Sequence, residues 1–63
     1  MILMAYKTRK LNGKFEIYHR EHGWVEALSI KPEVVKIKRY DAQDGGFVVH
    51  TEPHNNFRLT GEA

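Results

Sequence analysis

VVKIKRYDAQDGGFVVHT, residues 34–51, is the stretch that decides the fold of this chain. Two runs rich in β-branched residues flank a loop of Asp, Gln and Gly, which is the pattern of an antiparallel hairpin. Side chains alternate along a strand, so Lys36, Lys38 and Tyr40 lie on one face of the first arm and the apolar residues between them on the other. The stretch therefore predicts a strand with one buried face and one charged face. We expect the second arm, 47–51, to be the most enclosed strand, because it is the most apolar.

A second hairpin is predicted before this one. Asn12-Gly13 stands between two strand-like segments, residues 2–11 and 14–20. Asn-Gly favours a type I′ turn, because both central residues of that turn need positive φ. We expect the first strand to begin buried and to end in solvent. In the next strand, Ile17 and Tyr18 are expected to point to opposite faces.

The segments around the two prolines are less regular. Residues 24–30 follow a turn at 21–23, and their alternation favours a strand, although one helical turn also fits. A helix beginning at Pro32 is a minor alternative, because it would lack a continuous apolar stripe. Pro53 is expected to end the strand before it, and residues 57–60 are expected to form a last short strand.

These segments predict a mostly β protein with a single domain covering residues 1–63. Five or six short strands at spacings of about ten residues are typical of an antiparallel meander, or of a small barrel of the SH3-like or OB-like kind. Such an architecture assigns no function by itself. A small sheet also leaves edge strands open, so a homodimer formed through an edge or a shared apolar face is a further hypothesis.

Composition restricts the class of protein. The chain has 63 residues and a net charge of +2, and it contains no cysteine. The absence of cysteine excludes disulfides and thiolate zinc sites. The short length limits the size of the core. The apolar run at residues 1–5 is too short for a signal peptide or a membrane span, so we expect a cytoplasmic protein without a membrane partner. Positive charge is concentrated in residues 1–40, which carry a net +5, whereas residues 41–63 carry a net −3.

Basic side chains share the faces of the predicted strands with tyrosines. Cations that contact phosphates, interleaved with rings that stack on bases, are how many β modules hold single-stranded nucleic acid. The alternative is that the basic residues solvate the sheet and protect its edges. The candidate residues for binding nucleic acid or another partner are Lys7, Arg9, Lys14, Tyr18, Arg20, Lys36, Lys38 and Tyr40.

The four histidines form two pairs, His19 with His22 and His50 with His54. Their spacings, His-x2-His and His-x3-His, match those of metal ligands. A structural zinc site built from histidines without cysteine would be unusual, so neither a metal nor another cofactor is expected, and metal binding stays a third hypothesis. No grouping of acids, bases and nucleophiles indicates catalysis, and the chain is not expected to be an enzyme.

Four large aromatic residues, Phe15, Trp24, Phe47 and Phe57, are predicted to form the core. Small domains need large rings to bury enough apolar area. Trp24 also fits a second interpretation, a half-exposed contact at an interface, because tryptophan is enriched among the residues that dominate binding energy.

Together these patterns predict a small, non-enzymatic binding protein whose basic sheet face contacts nucleic acid or a nucleoprotein complex. The alternative function is a protein–protein antagonist or adaptor that blocks a partner's surface, as small inhibitors encoded by phages and mobile elements do. In that case the acidic residues of the C-terminal third would matter as much as the basic face.

Overall fold

A computed structural model describes residues 5–61 as one open antiparallel sheet of five strands. Each strand pairs with the strand that follows it in sequence, so the predicted meander is confirmed, and the sheet is not closed into a barrel. Within residues 5–61 no helix has the length and apolarity needed to cross a membrane. The elements are β1 (Thr8–Leu11), β2 (Lys14–His19), β3 (Gly23–Ile30), β4 (Val35–Asp41), β5 (Gly46–Glu52) and a short 3-10 helix (His54–Asn56).

The two predicted hairpin turns are present. Asn12 and Gly13 both have positive φ, 53° and 78°, as the type I′ turn between β1 and β2 requires. At the tip of the hairpin of β4 and β5, Gly45 has a φ of 71°, a conformation that costs glycine little. These turns fix the register of both hairpins, because a tight turn determines which residues face each other.

The segment with the ambiguous pattern is a strand, β3. It pairs with β2 through Glu16↔Glu26 and with β4 through Glu26↔Lys38. Its register shifts between Ala27 and Ser29, which indicates a β-bulge and breaks the simple alternation of side chains. The residues around Pro32 form a loop rather than the helix that was a minor alternative.

The hydrophobic core lies on one side of the sheet, here called the inner face. Phe57 is 1% exposed and packs edge-on against His19, with ring centroids 5.1 Å apart. Tyr6 packs against Phe57 at 6.5 Å, so residues before β1 and after β5 together cover the apolar strands. The buried core consists of Tyr6, Ile17, Val25, Ala27, Val35, Ile37 and Phe57.

The C-terminal segment differs from the predicted last strand. Residues 57–60 form two isolated bridges, Tyr6↔Leu59 and His19↔Phe57, in place of a continuous strand. The backbone N–H of Thr60 donates to the carbonyl of Ala5 at 2.7 Å. The segment runs alongside the end of β2 and the residues before β1, and it places Phe57 in the core. The expectation of a strand beginning at residue 2 falls partly outside the described residues.

The prediction that residues 47–51 form the most enclosed strand is wrong. Among residues 5–61, β5 is the last strand of the sheet and pairs only with β4. Phe47 is 67% exposed and Val49 is 58% exposed, because both lie on the face opposite the core. Phe15 was also predicted to be core and is 44% exposed, although it shares the face of the buried Ile17. Of the predicted core rings, Phe57 alone is fully buried.

Replacing Phe57 by alanine is expected to unfold the domain. A buried Phe→Ala change costs about 3–5 kcal/mol, whereas a core of this size supplies roughly 3–5 kcal/mol in total. Phe47→Ala is the matched control, because it removes the same side chain from an exposed position. Thermal unfolding followed by circular dichroism should show no cooperative transition for the first variant and a nearly unchanged one for the second. Equal effects of the two changes would contradict the assigned core.

Candidate functional site

The side of the sheet opposite the core, here called the outer face, combines aromatic rings with basic side chains. It forms because strand alternation sends every second residue of each strand away from the core. Its positive groups outnumber its two carboxylates. The outer face includes Lys7, Arg9, Leu11, Lys14, Glu16, Tyr18, Trp24, Glu26, Lys36, Lys38, Tyr40, Phe47, Val49, Thr51 and Arg58.

All the candidate residues predicted from sequence lie on this outer face except Arg20. Lys36, Lys38 and Tyr40 alternate along β4 with buried Val35 and Ile37, as predicted. Lys14 and Tyr18 are on β2, and Lys7 and Arg9 reach the face from the first segment of the chain. Arg20 follows the end of β2, where its Nε donates to the carbonyl of Asn55 at 2.9 Å. It therefore holds the 3-10 helix in place rather than joining the other candidates.

A row of four aromatic rings crosses the outer face from β2 to β5. Tyr18 and Trp24 are directly opposite in the register and meet edge to face, with centroids 5.2 Å apart. Tyr40 and Phe47 are also opposite and meet edge to face at 5.8 Å. Extending the register of β3 and β4 by two residues places Trp24 opposite Tyr40. The row therefore consists of two ring pairs, one on each half of the sheet.

Cationic groups lie directly over the first ring pair. The Lys7 ammonium and the Arg58 guanidinium are 5.2 Å and 5.6 Å from the centre of the Tyr18 ring. The Arg9 guanidinium lies 4.3 Å from the centre of the Trp24 ring, and its Nε donates to Glu16 Oε1 at 2.7 Å. Such cation–π contacts contribute roughly 0.5–1 kcal/mol each at exposed sites. They hold positive charge beside flat rings, which is the combination that phosphates and bases require.

An open groove of about 470 Å³ lies on the outer face. A space of this size is within the range of small-ligand sites. Basic, acidic and aromatic side chains all contribute to its walls. The side chains of the outer face that line it are Lys14, Glu16, Trp24, Glu26, Lys38, Tyr40 and Phe47.

Trp24, Phe47 and Arg58 were not among the candidate residues, although they belong to this face. The position of Phe47 on the outer face could have been predicted from the hairpin register, because a turn that pairs Asp41 with Gly46 places Phe47 opposite Tyr40. Trp24 could have been found from its partner Tyr18 on β2. Arg58 reaches the face through the bridge between residues 19 and 57, a contact for which the sequence carries no local signal.

The histidines do not converge on one point. The Nδ1 atom of His19 accepts hydrogen bonds from the N–H groups of Glu21 and His22, and its Nε2 lies 2.6 Å from Glu52 Oε1. The Nδ1 atom of His54 accepts from the Tyr6 hydroxyl, and its Nε2 donates to the Lys31 carbonyl at 2.5 Å.

Within residues 5–61 no three His, Asp or Glu side chains are grouped as metal ligands would be. The ring of His22 packs against the ring of His19, with centroids 4.6 Å apart. His50 Nε2 is 3.9 Å from Asp41 Oδ2, whereas His54 contacts Tyr6 and Lys31. His19 and His22 are neighbours, but the two predicted pairs do not come together among the described residues, and the structure lends no support to the metal hypothesis.

Glu52 is the central group of a polar cluster on the inner face. Its Oε1 accepts from His19 and, at 2.8 Å, from the amide of Asn56, while Arg39 Nε is 3.6 Å from its Oε2. Burial by itself raises the pKa of the Glu52 carboxyl, but the hydrogen bonds from His19 and Asn56 and the charges of His19 and Arg39 outweigh burial and lower that pKa below 4.5. The carboxylate is thus stabilised by the folded chain.

The lowered pKa of Glu52 predicts a pH-dependent contribution to stability. The contribution is fully present above the ordinary carboxyl pKa of 4.5 and is lost as pH falls through the lower folded-state pKa. Glu52→Gln should therefore reduce the free energy of unfolding at pH 7 by about 1–3 kcal/mol and make it less dependent on pH below 4.5. Glu33→Gln, in the exposed loop before β4, is the control. Urea unfolding between pH 3 and pH 7 tests this, and parallel curves for wild type and Glu52→Gln would contradict it.

Comparisons of the chain with known proteins give no match among protein-family models, curated proteins or solved structures. The fold is therefore described by its own topology, a five-stranded antiparallel meander covered on one face. Any function assigned to the outer face depends on the chemistry of its residues.

Proposed function

We propose that this chain is a non-enzymatic binding protein whose outer face holds single-stranded nucleic acid, alone or within a nucleoprotein complex. The observation that carries the proposal is the row of four rings, Tyr18, Trp24, Tyr40 and Phe47, crossing a solvent-facing sheet between basic side chains. Apolar rings are normally placed in the core of so small a domain. Here Phe47 remains 67% exposed while the core has Phe57 as its large ring, so a role in contact with a ligand accounts for its position.

The energetics of the two kinds of contact support this proposal. Stacking of a base on an aromatic ring contributes about 1–3 kcal/mol per base and tolerates any sequence. Lysines and arginines neutralise phosphates and release counterions, which adds affinity that depends on salt. Single-stranded rather than double-stranded nucleic acid is favoured, because the rings can stack only on bases that are not already stacked within a duplex.

Binding to a short oligonucleotide is expected to weaken as salt rises, and to depend on Lys36 and Lys38. The logarithm of affinity should fall linearly with the logarithm of salt concentration, with a slope of about 0.7 per phosphate contact. Replacing both lysines by glutamate should reduce the slope by about 1.4 and abolish measurable binding at moderate salt. Trp24 is the single tryptophan of the chain and lies in the aromatic row, so its fluorescence reports binding directly.

The matched control reverses the same charges elsewhere. Lys10 and Lys31 are both exposed and neither belongs to the outer face, so their double replacement by glutamate changes the net charge equally. If binding depended on net charge alone, the two double variants would bind equally weakly, and the outer face would be the wrong surface. Binding by wild type that does not change with salt would also contradict phosphate contacts.

Removing one ring from the row should weaken binding without loss of folding. Phe47→Ala is expected to reduce oligonucleotide affinity about fivefold or more, since one stacked base contributes about 1–3 kcal/mol. Phe15→Ala is the control, because Phe15 is also half-exposed but shares the opposite face with Ile17. Fluorescence titration of both variants measures the difference. A comparable loss for Phe15→Ala would argue against the aromatic row as the contact surface.

A second candidate function is the binding of a protein partner at the edge of the sheet. In the part of the chain that the structure describes, β5 pairs on one side only, and its exposed Phe47 and Val49 are apolar. An edge strand of this kind can pair with a strand of another protein or of a second copy of the chain. The double replacement of Lys36 and Lys38 separates the two functions, because it should abolish nucleic-acid binding and leave pairing through β5 intact.

A further inference from the structure

The groove on the outer face contains a carboxylate, Glu26, whose presence is not explained by phosphate contacts or by the stacking of bases on rings. Glu26 lies in the middle of β3, half-buried, between Glu16 of β2 and Lys38 of β4 in the register. Among residues 5–61 no side chain donates a hydrogen bond to its carboxylate or lies within ion-pair distance of it. A carboxylate on a surface that binds polyanions weakens that binding, so its presence there calls for a hydrogen-bond donor supplied by the ligand.

The two carboxylates of the groove differ in what they already bind. Glu16 Oε1 accepts from Arg9, whose guanidinium also lies over the Trp24 ring. In this arrangement a planar guanidinium lies over a ring and donates one N–H to a carboxylate, and the chain itself supplies every part of it. Glu26 stands in the adjacent position, in a groove that Tyr40 and Phe47 also line, and its two oxygens are open to an equivalent planar donor from a ligand.

Guanine is the base whose edge matches this arrangement. Its N1–H and N2–H₂ groups are adjacent donors that can bond both oxygens of an ionised carboxylate, as a guanidinium does. Cytosine and adenine each offer one amino group beside a ring acceptor, and the N–H of thymine or uracil is flanked by two carbonyl oxygens that a carboxylate repels. Lys14 and Lys38 line the same groove and can take the phosphates on either side of the base.

We infer that the groove binds a guanine base, with Glu26 accepting hydrogen bonds from its N1–H and N2–H₂ groups and a neighbouring ring stacking on its face. This inference deepens the proposed function and rests on it, because the base is assigned to a single strand held by the outer face. A basic protein side chain is a poorer occupant, since Lys14, Lys38 and Arg39 also line the groove and would repel a further cation.

The inference is tested with three oligonucleotides of equal length, which contain only thymine, thymine with one central guanine, or thymine with one central hypoxanthine. Hypoxanthine retains N1–H and lacks the N2 amino group. Wild-type protein should bind the guanine oligonucleotide about tenfold tighter than the thymine one, since a good bidentate pair is worth roughly 1–3 kcal/mol, and hypoxanthine should fall between them. Affinities are measured by the fluorescence of Trp24 and, independently, by anisotropy of labelled oligonucleotides.

The variant that isolates the carboxylate is Glu26→Gln. It should lose the preference for guanine and bind the thymine oligonucleotide at least as tightly as wild type, because a negative charge has been removed from the outer face. Glu33→Gln, with the same change in an exposed loop, should keep the preference. Equal binding of all three oligonucleotides by wild type would overturn the inference while leaving the proposed function standing, and this outcome does not depend on any variant folding.

Two further outcomes distinguish a guanine within a single strand from a free guanine nucleotide as the ligand. Guanosine monophosphate alone, at the concentrations used for the oligonucleotides, is expected to compete weakly, because it lacks the neighbouring phosphates and stacked bases. If it bound as tightly as the guanine oligonucleotide, the groove would be a nucleotide site and the single-strand proposal would fail while the role of Glu26 stood. If no oligonucleotide and no nucleotide changed the fluorescence of Trp24, both the inference and the proposed function would fail.

Discussion

The contact between Phe57 and the inner face of the sheet is the one on which the rest of the structure depends. A five-stranded meander has two faces, and within residues 5–61 the segments before β1 and after β5 cover one of them. Phe57 closes the apolar surface formed by strands β2, β3 and β4, and Tyr6 extends the cover on one side. Within residues 5–61 no strand or helix covers the outer face, which leaves Tyr40 and Phe47 exposed to solvent or to a partner.

This division of the two faces explains why polar groups are also found beside the core. The inner face of β5 presents His50 and Glu52 beside Val48, and Glu52 is hydrogen-bonded to His19 of β2. The buried surface is therefore a small apolar patch adjoined by a hydrogen-bonded cluster. Such a cluster contributes to a unique arrangement of strands only while each member keeps its partner. The stability of the domain is therefore sensitive to substitution of the few residues that form the cluster.

Alternation and turn chemistry allowed the topology and most of the outer face to be predicted, because both are local properties. Lys36 and Lys38 alternate with buried neighbours, and Asn12-Gly13 adopts the backbone conformation that its residue types favour. Alternation shows which side chains share a face, but it does not show which face is covered. Phe47 was for this reason predicted to be core, since both faces of β5 carry apolar residues and the cover comes from a distant part of the chain.

The groove could not be predicted from the sequence, because it also depends on contacts between distant parts of the chain. Its walls come from β2, β3, β4 and β5, so its composition depends on three registers and on the bulge near Ala27. Arg58 reaches Tyr18 because the C-terminal segment pairs with the end of β2, where the N–H of Arg58 donates to the carbonyl of Tyr18.

The pairing of the C-terminal segment also brings Ala5 and Thr60 together. The N–H of Thr60 bonds to the carbonyl of Ala5, so in a chain trimmed to residues 5–61 a short peptide linker can join the two ends into a circle. A circular chain has fewer conformations to lose on folding, which favours the folded state. The circle can then be opened at the exposed turn between β4 and β5, where insertions and new termini are best tolerated. In such a rearranged chain β4 and β5 would lie at opposite ends of the sequence. Because their pairing would then join residues far apart in sequence, we expect the rearranged chain to fold more slowly.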